Sequence, residues 1–282
     1  MLEVLLDTLK DSIKLLPFLL VAYLVMEYIE HKTTDKTQNI IKESGKFGPF
    51  LGGILGIFPQ CGFSAMAANL YAGRIITLGT LIAIFLSTSD EMLPILLSEA
   101  APIDVILKIL GIKLIVGIIA GFVIDLILRK KQKQENKIAE VCEHEHCHCE
   151  EEGVIKSSLK HTISVFIYIF IISFILNTVI YFIGEDNLSN LILNKPILGP
   201  IISGIIGLIP NCASSVLLTK LYLSNVISVS CMLAGLLVGA GVGILILCKV
   251  NKNAKENAKI IGLLYVIGVI SGIILELIGI RF

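Results

Sequence analysis

The chain has no tryptophan, few charged residues and no surplus of either sign. Charged residues fill 16% of the 282 positions, against 55% hydrophobic ones, and the mean hydropathy is +0.87. So apolar a composition excludes disorder and an ordinary soluble domain. The 23 basic residues are balanced by 23 acidic ones, which leaves no electrostatic case for nucleic acid as a partner. Seven cysteines are too scattered for a secreted disulfide framework: Cys142, Cys147 and Cys149 share one polar tract, and Cys61, Cys212, Cys231 and Cys248 lie in apolar sequence. The chain also lacks a Cys-x-x-Cys pair and a recognisable catalytic base constellation, so no enzyme activity and no resident cofactor are expected.

What remains is long apolar runs. Those at 13–29, 75–97, 103–128, 162–183, 226–248 and 260–280 are each long enough for a hydrocarbon core of about 30 Å. The first has no basic leader and no small-residue cleavage site, so it reads as an uncleaved membrane helix. Two more apolar segments, 47–72 and 198–223, are interrupted at Pro59-Gln60-Cys61 and Pro210-Asn211-Cys212. Each arm holds about 12 residues, or roughly 18 Å of helix, too short to cross. They are expected to be re-entrant hairpins, the alternative being single Pro-kinked spans.

The chain is written twice. At an offset of 151, Gly48-Pro49 falls on Gly199-Pro200 and Leu70-Tyr71 on Leu221-Tyr222, with ten of the 24 positions from 48 to 71 identical. The same offset carries Lys108 to Lys259, Gly117 to Gly268, Gly121 to Gly272 and Asp125 to Glu276. Compositional bias makes apolar helices alike but does not hold one register through Pro, Gly, Cys and Lys. If each half has three crossings plus a returning hairpin, 16 of the 23 basic residues share one face, which marks that face as cytoplasmic. An odd number of crossings per half makes the halves inverted. The expected fold is therefore an all-α polytopic membrane protein of two inverted repeats, each with three transmembrane helices and one Pro-broken hairpin, about ten helical segments. Residues 1–128 form the first repeat, 129–160 a cytoplasmic His/Cys-rich linker and 161–282 the second repeat, in the cell membrane with both termini outside.

Inverted hairpins bring their tips to the bilayer midplane, where irregular backbone must line a cavity. The tips offer Gln60, Cys61 and Ser64 against Asn211, Cys212, Ser214 and Ser215: amide oxygens, hydroxyls and two thiols, which suit a metal ion as substrate. Asp90 and Glu91 lie deep in an apolar run and break the repeat, since Gly239, Ala240 and Gly241 stand opposite residues 88–90. Intramembrane acids point to cation coordination or proton coupling, and Glu27 is a further coupling candidate. Asp125 and Glu276 are expected at the interface, and Lys108 and Lys113 are expected to snorkel outward. In the linker, Cys142, His144, His146, Cys147, His148 and Cys149 have the chemistry of a Zn, Cu, Ni or Co collector or sensor, spaced too tightly for a structural zinc knuckle.

The paired Pro-Gln-Cys-Gly and Pro-Asn-Cys-Ala-Ser turns, the Ser-Thr-Ser-Asp-Glu helix and the His/Cys-rich linker together resemble the ten-helix heavy-metal exporter family, whose members are labelled arsenic efflux proteins or manganese transporters. The resemblance covers the whole chain and implies six spans plus four hairpin arms. It also implies secondary transport exporting manganese, another divalent metal, or arsenite or an arsenical from the cytoplasm. The competing readings are a membrane thiol redox protein using Cys61 and Cys212, and a metal sensor working through the linker. The expected partners are a metal or metalloid ion and the lipid bilayer; the chain is also compatible with a homodimer.

Overall fold

The computed structural model describes residues 47–58, 61–89, 92–128, 154–183 and 197–280, together with isolated helical positions between 5 and 24. The expected sites Glu27, Pro59, Gln60, Asp90 and Glu91 and the metal-binding tract Cys142 to Cys149 lie outside the described residues. So do the side chains of Cys61 and Cys212, the first residues of their helices.

The described residues form helices and no strands. The first half contains α1 (Gly48–Gly56), α2 (Cys61–Ala72), α3 (Leu78–Ser87), α4 (Met92–Ser98) and α5 (Ile103–Leu128). The second contains α6 (Val154–Ile183), α7 (Leu198–Gly207), α8 (Cys212–Leu223), α9 (Val229–Val238), α10 (Val242–Val250) and α11 (Ala254–Ile278). Helix α6 begins inside the stretch assigned to the linker. Five helical runs, 78–98, 103–128, 158–175, 229–250 and 254–278, are long and apolar enough to cross a membrane.

Both Pro-interrupted segments are two helices each. Pro49 and Pro200 sit in the first turns of α1 and α7, where a missing N–H costs no intrahelical bond. The two expected continuous runs 75–97 and 226–248 are also broken, which composition alone did not reveal. Helix α3 stops at Ser87 and α4 starts at Met92; α9 stops at Val238 and α10 starts at Val242. Different chemistry ends the two. After α3, the Ser87 hydroxyl donates to the Ala83 carbonyl at 2.6 Å and the Thr88 hydroxyl to the Ile84 carbonyl at 2.7 Å, so hydroxyls compete for the helix backbone. After α9, Gly241 takes φ 52° and ψ −138°, a conformation open in practice only to glycine.

The halves repeat one another down to their caps. Thr77 and Ser228 are the N-caps of α3 and α9, accepting from the backbone of Thr80 and Cys231. Arg74 and Asn225 both adopt positive φ, 58° and 56°, closing α2 and α8 with the same pair of bonds: Ile75 N to Leu70 O and Arg74 N to Tyr71 O, against Val226 N to Leu221 O and Asn225 N to Tyr222 O.

Lipid offers no hydrophobic drive between helices, so close approach of small residues holds the packing together. Gly48, Gly52 and Gly56 of α1 meet Thr80, Ile84 and Ser87 in that order, so α1 and α3 run in the same sense. Gly117 and Gly121 of α5 meet Ala83 and Gly79, so α5 runs opposite to α3. In the second half α7 packs on α9, and Gly268 and Gly272 of α11 meet Val238 and Ser230 in the opposite sense. Across the halves, α2 packs on α10 and α8 on α4, so each second arm reaches into the other half. Outward positions are apolar, as in the row Leu159, Ile163, Ile167, Ile171 and Ile175 along α6.

A candidate transport site at the helix breaks

The interruptions converge. The Ser89 hydroxyl, in the first break, donates to the Ile57 carbonyl at the end of α1. Ser64, fully buried on α2, stands against Gly243 at the start of α10: a Cβ there would lie 2.9 Å from the Ser64 Cβ and 2.9 Å from the Phe85 ring. The first Pro-interrupted segment thereby meets its own half's break through Ile57 and the other half's break through Ser64. In the second half, a Cβ on Gly239 would lie 3.5 Å from the Gly207 carbonyl oxygen at the end of α7.

Of the expected donors, Ser64, Asn211, Ser214 and Ser215 are all buried. Asn211 caps α8, its side-chain oxygen accepting from Ala213 N at 3.3 Å. Its carbonyl accepts from the Ser214 hydroxyl at 2.8 Å. The Ser215 carbonyl accepts from Thr219 at 2.7 Å. Helices α1, α3, α7 and α9 end at this level and α2, α4, α8 and α10 begin there. Helix ends leave backbone carbonyls and amides without intrahelical partners, and buried hydroxyl and amide side chains lie beside these ends. Among the described residues, no three His, Cys, Asp or Glu side chains gather.

Five charged residues take roles that sequence reasoning missed. Lys113 does not snorkel: it is fully buried, and its ammonium donates to the Leu236 carbonyl at 2.5 Å. The signal was its phase, since residues 106, 109, 113, 117, 121 and 124 all lie on the buried face of α5. Lys108, by contrast, is exposed beside Asp104 at 3.1 Å, as expected. Asp125 and Glu276 are not simply interfacial. Asp125 accepts from the Thr77 hydroxyl at 2.6 Å and Gly79 N at 2.8 Å, and Glu276 from the Ser228 hydroxyl at 2.8 Å. Each carboxylate stabilises the N-terminus of a broken helix. Finally, Arg74 holds Glu256 with two bonds of 2.6 and 2.7 Å, and the Tyr71 hydroxyl donates to the same carboxylate. The Glu256 carboxylate raises the Arg74 guanidinium pKa further above its ordinary value.

Among the described residues, five apolar helical runs of membrane length, two of them interrupted, define a polytopic, all-helical membrane protein. Residues 1–185 match a family described as "Putative, 10TM heavy-metal exporter", and the chain belongs to that family. No curated protein and no solved structure matches it. Membership gives metal-ion transport as the general function, which is not an enzymatic one.

Proposed function

We propose that this protein is a secondary transporter that exports a heavy-metal or metalloid ion from the cytoplasm, binding it where two re-entrant hairpin tips meet the breaks of two antiparallel discontinuous helices. The observation that carries the reading is the pairing of those breaks. Phe85 near the end of α3 lies at Gly243 near the start of α10, while Arg74, ahead of α3, lies at Glu256, beyond the end of α10. The two broken helices therefore run in opposite senses, as inverted repeats require. Helix α2 follows α10, with Ser64 at Gly243 and Tyr71 at Glu256, whereas α1 follows α3. Arms α1 and α2 thus run oppositely, which favours a hairpin over a kinked span.

The face carrying Arg74 also carries Lys249, whose ammonium lies 2.9 Å from Ser164 in the first half of α6. We read this as support for a cytoplasmic linker with outside termini. Gln60, Cys61, Ser64, Asn211, Cys212, Ser214 and Ser215 are the proposed ligands or cavity wall, Asp90 and Glu91 the cation ligands or proton carriers, and Glu27 a second coupling candidate. Oxygen donors suit manganese, and the paired thiols at the first residues of α2 and α8 suit arsenite, zinc or copper. Cys142 to Cys149 would collect the ion on the cytoplasmic side. Cellular content of a panel of elements tests the reading: intact protein should lower one element, and Asp90→Asn should abolish that fall. No change for any element, with the protein present in the membrane, would refute transport.

A further inference from the structure

Lys113 lies on the inward face of α5, without solvent exposure. Its ammonium meets the Leu236 carbonyl, in the last turn of α9, just before the chain breaks at Gly239. Carbonyls at a helix end lack intrahelical partners and carry the negative end of the helix dipole. In discontinuous membrane helices, such ends coordinate small coupling cations. Here the positive charge comes from a side chain of the other half of the molecule.

The arrangement is not duplicated. At the same offset of 151, Lys113 falls on Leu264, a buried apolar residue, and the end of α3 is finished by the hydroxyls of Ser87 and Thr88. Charged side chains inside a membrane protein mark functional positions, and this one reaches a helix end.

We propose that Lys113 is a tethered cation filling a monovalent-cation site at the carbonyl end of α9. The intact protein then needs no sodium ion there, and removing the side chain opens the site to sodium or a small alkylammonium ion. The inference rests on the broken-helix geometry and not on the transported ion, so its test needs no transport. Thermal unfolding of the purified full-length protein would be followed in choline, sodium or ethylammonium chloride at equal concentration. The intact protein and Lys113→Arg should unfold alike in all three salts. Lys113→Ala should unfold several degrees lower in choline and recover at least half of that loss in ethylammonium or sodium. Lys113→Met, which fills the space without charge, should be destabilised in every salt, because it leaves no room for the ion. Equal stability of Lys113→Ala and the intact protein in choline would overturn the proposal. So would failure of both added cations to restore Lys113→Ala, including failure to obtain it folded in any salt, or Lys113→Met behaving like Lys113→Arg.

Discussion

Asp125 and Glu276 show how much one carboxylate can do at a membrane-helix end. Each binds the hydroxyl that caps a broken helix, and Asp125 also binds a backbone amide that the helix leaves unpaired. Hydrogen bonds to a charged acceptor contribute roughly 1.5–3 kcal/mol. Asp125→Ala should therefore cost about 2 kcal/mol of stability, and Glu276→Ala, which gives up one bond, should cost less. Unfolding midpoints of the two variants in detergent check the order; equal losses would mean that the Gly79 amide bond contributes nothing. The role was half visible in the sequence, because both acids keep the offset of 151. Their partners, Thr77 and Ser228, sit 48 residues away, a distance that no local pattern spans.

At the level of elements, the breaks decide the behaviour of the centre. Gly241 holds φ 52° with ψ −138°, so a Cβ at that position meets its own backbone. Gly241→Ala should cost on the order of 1–3 kcal/mol and reduce transport, read together as an unfolding midpoint and as metal accumulation. Gly207→Ala should be worse, because its Cβ would collide with the Gly235 carbonyl and force α7 from α9. A variant that transports normally would show that the seam has room. The interruptions of 47–72 and 198–223 were legible because proline interrupts a helix by a local covalent constraint. The breaks after Ser87 and Val238 were not, since uninterrupted apolar composition satisfies a continuous helix equally well. Ser87-Thr88-Ser89 and Gly239-Ala240-Gly241 contain the signal, but hydroxyls and glycines also occur inside intact membrane helices.

For the whole molecule, the contact of Arg74 with Glu256 joins the loop after α2 to the first turn of α11, and thus one half to the other. The pair is about a quarter exposed, so its coupling is that of a partly screened bidentate ion pair. A double-mutant cycle of Arg74→Ala and Glu256→Ala should give about 1 kcal/mol, and additivity would show that this ion pair adds nothing to the contact between the halves. The proposed inversion of the repeats predicts sidedness. In intact cells, Glu99→Cys should react with an impermeant thiol reagent, whereas Lys255→Cys should react only after permeabilisation. Labelling of both from outside would refute the proposed inverted arrangement.

Composition and a repeated register were enough to establish a duplicated, all-helical membrane chain with two proline-broken segments. Both depend only on covalent order: hydrocarbon demands long apolar runs, and gene duplication preserves spacing. Which face of α5 turns inward and which half's arm enters the other half depend on contacts between residues far apart in sequence, and the breaks without proline depend on hydroxyl bonds and a glycine conformation that composition does not specify. Lys113 is the plainest case. Its local sequence suits a side chain reaching for water, and only the packing of α5 against α9 turns it into a buried cation on a helix end.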